Sequence, residues 1–293
     1  MIKSNFDKLR STIDKMSSKS YGPDDRYWKL EQDKAGNGRA VIRFLPERGD
    51  GLPFVRLFNH GFKNKANGKW YIENCPTTLG EECPVCQKNS ELWNSGGEAG
   101  KKIVSERKRR LSYIANILVV DDPKNPDNNG KVFLFKFGKK IYDMIVDKIN
   151  PVYEDEAPVN VFCPINGADF DLRMRKVENF PNYDKSVFTA PAALFDGDED
   201  KIQTVLDQMH DLEAEVAKDK FKPYADLKKR FDQTIGVAVP AVAPEEDYEP
   251  AEAPAPAPAT SKLARPLPSV PKEDADEDEE DLAYFSRLAA LPN

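Results

Sequence analysis

The sequence has little cysteine and histidine and no long apolar segment. Four cysteines and two histidines occur among 293 residues, and so few cysteines exclude a disulfide-stabilised scaffold. No run of 18 or more apolar residues is present, so we expect no transmembrane helix and no membrane partner. Residues 1–6 contain no continuous apolar stretch, and we expect no secretory signal peptide. The cysteines should therefore stay reduced, as free thiols, metal ligands or catalytic groups.

Charge is distributed unevenly along the chain. The net charge is −7, but residues 1–20 carry a net charge of +3 and residues 240–293 a net charge of −9, which leaves −1 for the residues between them. This asymmetry indicates a polyanionic partner for one end and a docking or regulatory role for the other. A hydrophobic content of 40% supplies a core and excludes a wholly disordered chain.

Proline marks a C-terminal tail at residues 240–293, which hold ten of the 23 prolines. Within the tail, residues 251–258 read AEAPAPAP, an extended spacer that cannot build a core. Residues 273–281 contain eight carboxylates and should stay solvated. Residues 282–291 have apolar residues at helical spacing, and so short a helix is expected to order only on a partner.

The N-terminal residues form a basic arm with one apolar stripe. The stripe has heptad-like spacing and consists of Ile2, Phe6, Leu9, Ile13 and Met16. This spacing is compatible both with a frayed amphipathic helix and with an arm that docks on another molecule. The chain therefore divides into an arm at residues 1–20, a body at residues 21–239 and the tail at residues 240–293.

The body is rich in predicted strands. Short segments with many β-branched and aromatic residues predict strands at residues 39–44, 54–58, 69–72, 113–120, 131–137, 159–163 and 169–176. Apolar residues at helical spacing predict helices at residues 139–149 and 202–216, the second capped by Asp196 or Asp198. Many short strands with few helices indicate a β-rich α+β fold, built as a barrel or a sandwich.

Three cysteines are spaced like metal ligands. Cys83 and Cys86 form a CxxC pair, whose turn presents both sulfurs to one ion, and Cys75 supplies a third ligand. The fourth ligand is either His60 or Cys163. We favour His60 because it precedes the predicted strand that leads into Cys75. Cys163 lies in a predicted strand, where a small buried thiol is common.

The spacing favours one structural Zn²⁺ ion within residues 59–90, since four protein ligands fill the tetrahedron and a catalytic zinc would keep one position open for water. A redox CxxC pair is the alternative. It usually precedes a helix, whereas the segment around residues 83–86 reads as β-like. The second histidine, His210, falls among apolar helical positions and is interpreted as a helix residue.

Basic and aromatic residues follow the predicted metal site. Six positive charges fall within ten residues, at Lys101, Lys102, Arg107, Lys108, Arg109 and Arg110, and four more lysines follow at Lys131, Lys136, Lys139 and Lys140. The interleaved aromatic residues are Trp70, Tyr71, Trp93, Tyr113, Phe133, Phe135, Phe137, Tyr142, Phe180 and Tyr183. Positive charge neutralises phosphates and exposed rings stack on unpaired bases, so this pattern favours single-stranded nucleic acid. The alternative is that these strand aromatics form the core.

Several segments match one known family. They are AGNGRAVIRFLP (35–46), NHGFKNKANGKWYIENCP (59–76), CPVCQ (83–87), SYIANILVVDDP (112–123), GKVFLFKFGKKIYD (130–143) and KDKFKPYADLKKRF (218–231). Over most of its length the chain resembles the single-stranded DNA-binding, helix-destabilising proteins of T-even-type bacteriophages.

The resemblance implies an OB-fold core with an inserted zinc subdomain, in which His60, Cys75, Cys83 and Cys86 bind the zinc. It also implies a DNA cleft, whose aromatic positions fall here on Trp93, Tyr113, Phe135, Phe180 and Tyr183. The basic residues beside those positions are Lys108, Arg109, Arg110, Lys136, Lys139 and Lys140. Trp93 and Phe135 stand where the family has tyrosine.

The resemblance further implies cooperative self-association through a short motif in the arm, matched by Lys8, Arg10, Ser11 and Thr12. The acidic tail would compete with DNA and dock phage replication and recombination proteins. The implied function is to coat single-stranded DNA and destabilise duplex during replication, recombination and repair, in the cytoplasm of the infected bacterial host. The protein's own mRNA is a further implied ligand.

Two other functions remain open on the sequence. A zinc-containing nucleic-acid-processing enzyme would need carboxylates that converge on a divalent metal, and no catalytic motif stands out. An RNA-binding translational regulator would show the same basic and aromatic residues. We therefore predict no enzymatic activity and single-stranded DNA as the main ligand.

Overall fold

A computed structural model describes residues 24–49, 51–178 and 180–236. The predicted arm at residues 1–20, with Lys8, Arg10, Ser11 and Thr12, and the predicted tail at residues 240–293 lie outside the described residues. Among the described residues no helix combines the length and apolar character needed to cross a membrane.

Eight strands and five α-helices make up the described fold. The strands are β1 (Gly38–Phe44), β2 (Phe54–Lys63), β3 (Trp70–Asn74), β4 (Arg110–Asp121), β5 (Val132–Phe137), β6 (Phe170–Val177), β7 (Phe180–Asn182) and β8 (Val187–Phe188). The helices are α1 (Pro84–Ser95), α2 (Gly97–Arg107), α3 (Lys139–Ile149), α4 (Glu199–Asp207) and α5 (Tyr224–Ile235). Short 3₁₀ helices, including Pro76–Leu79 and Glu213–Glu215, connect them.

The strands form one curled antiparallel sheet, a half-barrel organised around β4. The strand order is β3-β2-β4-β1-β6-β7, with β5 paired to β4 and β8 paired to β6. One edge of β4 pairs with β2 through residues 110–115 and with β1 through residues 117–121, while β5 lies on its other edge. The loop at residues 45–53 therefore joins two strands that follow one another along the same edge of β4.

Both faces of β4 are covered, because residues 113–119 are all buried. Alternate residues of a strand point to opposite faces. One face packs against α3 through Ile141, Tyr142 and Ile145, in the largest hydrophobic cluster. The other face packs against residues that follow α4, among them Leu212.

Six of the seven predicted strands are confirmed, and residues 159–163 are the exception. This segment forms turns, in which the Asn160 side chain accepts the Phe162 N–H and the Asn160 carbonyl accepts the Cys163 N–H. The buried Arg43 guanidinium also binds the Cys163 carbonyl, at 3.1 Å. Apolar residues at 159, 161 and 162 still enter the core, which explains why the segment resembles a strand.

The helix predicted at residues 139–149 is confirmed, but the helix predicted at residues 202–216 ends at Asp207. Asp198 caps the start of this shorter helix, α4, and accepts the Lys201 N–H at 3.1 Å. The apolar pattern continues beyond Asp207 because Met209 and Leu212 are buried although they lie outside the helix. His210 is not a helix residue: its backbone N–H and carbonyl both bond to the Asn116 side chain.

The β-like interpretation of residues 83–86 is wrong, because Cys83 is the N-cap of α1 and Cys86 lies in its first turn. The sequence prediction missed α1, α2 and α5. Helix α1 buries only Pro84, Val85 and Asn89, so it carries little of the apolar periodicity that identifies a helix in a sequence.

Candidate metal centre and nucleic-acid interface

Four side chains converge on one point between β2, β3 and α1. The ligand atoms of His60, Cys75, Cys83 and Cys86 all lie within 4.8 Å of one another. His60 Nε2 is 3.5 Å from Cys83 Sγ and 3.4 Å from Cys86 Sγ, and Cys75 Sγ is 3.6 Å from Cys86 Sγ. The cluster could hold a metal ion. Cys163 lies elsewhere, where its sulfur accepts the Asn166 N–H.

Local structure explains how the four side chains meet. Antiparallel pairing of β2 with β3 places His60 opposite Glu73, two residues before Cys75. Pro84 occupies the first turn of α1, where its missing N–H costs no hydrogen bond. That turn brings the Cys83 and Cys86 sulfurs to the same side.

Hydrogen bonds orient two of the ligands. His60, which is 1% exposed, donates from Nδ1 to the Arg107 carbonyl at 2.9 Å, and Nε2 is the ring nitrogen that faces the sulfurs. Asn89 Nδ2 donates to the same carbonyl at 3.2 Å. Thr77 Oγ1 lies 3.1 Å from Cys75 Sγ.

The cluster shifts the pKa values of its own members. Burial lowers the pKa of His60, but hydrogen bonds and charges of Cys75 and Cys83 outweigh it and raise the pKa to about 9. Hydrogen bonds from Cys83 and Cys86 lower the pKa of the Cys75 thiol. The pKa of Cys86 is raised, because Cys75 and Cys83 hold its proton. The four side chains thus share protons with one another, and a bound metal ion would displace those protons.

A groove of about 1030 Å³ lies beside this cluster. Its walls are formed by residues 48, 51 and 52 of the loop after β1, by strand β2, by the 3₁₀ helix Pro76–Leu79 and by residues 211–216. Its lining includes Arg48, Leu52, Phe54, Arg56, Phe58 and Thr77 on one side, and Asp211, Leu212 and Glu213 on the other. We call it the β2 groove.

Two arginines flank an aromatic ring in the β2 groove. The Arg109 guanidinium carbon lies 4.1 Å from the centroid of the Phe58 ring, and that of Arg56 lies 5.6 Å from it. Arg109 Nη1 also donates to Thr77 Oγ1 at 2.9 Å. Guanidinium groups bind phosphates in a planar fork and stack on rings, so this arrangement suits a nucleic-acid strand.

Sequence reasoning identified Arg109 but missed Arg48, Arg56, Phe58 and Thr77. A signal for Arg56 was present: it is the single charged residue of the predicted strand at residues 54–58, and Phe54, Arg56 and Phe58 fall on one face of it.

Two of the predicted stacking residues belong to the core. Tyr113 is 2% exposed and Phe135 is 6% exposed, which corrects the expectation that their rings are open to bases. The Tyr113 ring lies parallel to that of Tyr142, with centroids 4.1 Å apart. Tyr113 is the register partner of Arg56, and its ring contacts Phe54, which lines the β2 groove. Tyr113 therefore lies behind the groove wall.

The other predicted aromatic positions are more accessible. Phe180 is 72% exposed, and Trp93 is 38% exposed with Lys101 Nζ 5.8 Å from its ring centroid. Tyr183 is half-buried, and burial raises its pKa. Among the described residues none of the three lines the β2 groove.

The predicted basic residues occupy separate positions. Lys108 and Arg110 are exposed on either side of Arg109, which alone of the three reaches the β2 groove side chains. Lys139 and Lys140 are exposed at the start of α3, where Lys139 pairs with Asp143 at 3.3 Å. Lys136 is exposed and lines a second, smaller pocket with Lys29 and Lys220.

Known proteins are similar to this chain over most of its length. A family model described as gp32 DNA binding protein like matches residues 36–235. A single-stranded DNA-binding protein of Enterobacteria phage T4 is 47% identical over 230 residues, which cover 76% of this chain and 74% of that protein. The single-stranded DNA-binding protein of Enterobacteria phage T2 is 48% identical over 218 residues, which cover 72% of this chain and 70% of the relative.

Proposed function

The chain belongs to the gp32-like family of DNA-binding proteins, and we propose that it binds single-stranded DNA along the β2 groove. Like its relatives, it is a single-stranded DNA-binding protein, and the family is not enzymatic. The observation that carries the location is the contact of Arg56 and Arg109 with the Phe58 ring inside the groove.

The groove chemistry supports a single strand over a duplex. Arg48 and Arg56 in the groove, with Arg109 beside Phe58, would neutralise phosphates. The half-buried Phe58 ring and the apolar Leu52 would meet base faces. In a duplex the base faces are covered by neighbouring bases, so a protein aromatic ring cannot stack on them. Binding by charge and stacking reads no particular base, and the function is therefore largely independent of sequence.

The strand would extend from the groove over the predicted residues outside it. Lys108, Arg110, Lys136, Lys139 and Lys140 offer exposed charge for phosphates, and Trp93, Phe180 and Tyr183 offer rings for bases. Tyr113 and Phe135 would support the groove wall from the core.

The donor set fits zinc. Three thiolates and one imidazole nitrogen match a tetrahedral Cys₃His site, and soft sulfur ligands favour zinc over hard cations. With all four positions supplied by protein, the ion would be structural, holding β2, β3 and α1 together. The half-barrel with this inserted module at residues 59–90 is proposed to be an OB-fold.

Partners beyond DNA follow from the family and the charge pattern. Residues 1–20, with Lys8, Arg10, Ser11 and Thr12, would mediate cooperative head-to-tail self-association. Residues 240–293 would dock phage replication and recombination proteins, and the protein's own mRNA would be a secondary ligand. The protein would act in the cytoplasm of the infected bacterial host, coating exposed strands and destabilising duplex.

Quenching of intrinsic fluorescence on titration with poly-dT across a salt series tests the groove. Arg56→Gln should weaken binding and make log K less steep in log salt by roughly 0.7, the amount expected for one phosphate contact on a single strand. Lys228→Gln, on the surface of α5 and paired with Asp232 at 2.7 Å, is the control and should leave the slope unchanged.

Equal slopes for Arg56→Gln and Lys228→Gln would place the strand elsewhere on the molecule. The same titration with oligo-U measures the preference for DNA over RNA. Tighter binding of oligo-U than of oligo-dT would favour an RNA-binding regulator.

A further inference from the structure

The Thr77 hydroxyl lies between Cys75, a candidate metal ligand, and Arg109, which contacts the groove-lining Phe58 ring. Thr77 Oγ1 is 3.1 Å from Cys75 Sγ on one side and accepts Arg109 Nη1–H at 2.9 Å on the other. Arg109 in turn lies 4.1 Å from the Phe58 ring centroid. A continuous set of contacts therefore runs from the His60, Cys75, Cys83 and Cys86 cluster into the β2 groove.

We propose that Thr77 is a positioning residue that couples the metal site to DNA binding, by holding the Arg109 guanidinium over Phe58 for contact with a phosphate. This inference rests on the proposed function, namely DNA in the β2 groove and zinc in the cluster. It adds a specific connection between the two sites.

Hydrogen-bond polarity gives the connection its direction. A metal-bound thiolate carries no proton and can only accept, so the Thr77 O–H donates to Cys75 Sγ. The Thr77 oxygen then presents its lone pairs to Arg109, whose guanidinium can only donate.

The geometry leaves the charge of Arg109 available for DNA. Its contacts with the Thr77 hydroxyl and the Phe58 ring are both with uncharged groups, so neither cancels its positive charge. A guanidinium held in one rotamer loses less conformational entropy when it meets a phosphate, and binding is correspondingly tighter.

A second contact holds the backbone just before Arg109. The Arg107 carbonyl accepts hydrogen bonds from the metal ligand His60, at 2.9 Å, and from Asn89, at 3.2 Å. The metal cluster therefore fixes both the backbone two residues before Arg109 and, through Thr77, the end of its side chain.

The test is a salt titration of full-length, zinc-loaded variants on oligo-dT. Thr77→Val keeps the shape of the side chain and removes the hydroxyl. It should weaken binding severalfold and reduce the salt slope by up to roughly 0.7, which is the change also expected for Arg109→Gln. A variant that combines Thr77→Val with Arg109→Gln should bind no more weakly than Arg109→Gln alone, because both changes remove the same contact. Thr77→Ser should restore the wild-type slope.

Thr204→Val is the matched control. Thr204 is exposed on α4 and does not line the β2 groove, and its hydroxyl donates to the Asp200 carbonyl at 2.8 Å. The variant should leave the salt slope at the wild-type value. Zinc release to a chelator should be faster in Thr77→Val than in Thr204→Val, since partners of metal ligands tune metal affinity by about 10- to 100-fold.

The outcomes separate this inference from the proposed function. If Arg109→Gln changes neither affinity nor slope, the groove is not the DNA site, and the proposed site and the coupling through Thr77 are both wrong. If Arg109→Gln weakens binding while Thr77→Val behaves like Thr204→Val, the groove remains the DNA site and the coupling through Thr77 is overturned. Additive losses in the double variant would also overturn the coupling.

Discussion

Single residues on one face of the sheet have opposite roles. Tyr113 and Phe58 lie on neighbouring strands, and the register pairs Tyr113 with Arg56, two residues from Phe58. Tyr113 is 2% exposed and parallel to Tyr142, whereas Phe58 is half-buried and contacts two guanidinium groups in the groove. Residue type alone does not separate such a core ring from a groove ring, because both are aromatic residues in strands near basic residues.

The first residue-scale prediction concerns Tyr113. Tyr113→Ala should lower the free energy of unfolding by about 3–5 kcal/mol, because it removes a large ring from a packed core. Urea denaturation measures this change. Phe180→Ala, at a ring that is 72% exposed, should change the same quantity by less than about 0.5 kcal/mol. A Tyr113→Ala protein of normal stability but weak DNA binding would make Tyr113 a base contact.

The secondary-structure elements differ in how well the sequence predicts them. Six strands follow from segments rich in β-branched and aromatic residues, and the helix at residues 139–149 follows from apolar periodicity. Cysteine spacing, with His60 favoured over Cys163, predicts the four side chains of the candidate metal cluster. Helices α1 and α2 and the groove could not be predicted. The short, polar sequences of the two helices carry no strong apolar periodicity. The groove is formed by residues distant in sequence, such as Arg48 and Leu212, which only the folded chain brings together.

The second prediction is at the element scale. Cys86→Ser should release the metal and lower thermal stability, because the ion would hold β2, β3 and α1 together and structural zinc sites contribute directly to folding. Cys163→Ser is the control: it changes a thiol outside the cluster and should retain metal. Metal content and melting temperature of both variants give the answer. A Cys86→Ser protein with full metal content would exclude Cys86 as a ligand.

At the scale of the whole molecule, charge is segregated along the chain. Residues 240–293 have a net charge of −9, and residues 1–20 a net charge of +3. A tethered polyanion has a high effective concentration near any basic surface of its own chain. The tail should therefore compete with DNA for positive groups.

Deleting residues 240–293 provides the third prediction. The truncated protein should bind poly-dT more tightly than the full chain, most strongly at low salt, where charge attraction is least screened. The two salt curves should converge as salt increases. Parallel salt curves, or weaker binding by the truncated protein, would exclude competition between the tail and DNA. The tail would then have only a docking role.

Photocrosslinking tests the central claim, that the strand lies in the β2 groove, most directly. An oligo-dT that carries 5-iodouracil is irradiated on the full-length protein, and the adducts are mapped by mass spectrometry. The groove predicts adducts in peptides that span residues 51–58, 76–79 and 107–113, which hold the Phe58 ring and its arginines. Adducts confined to other surfaces, such as the exposed Trp70 or Phe195, with none in those peptides, would contradict it.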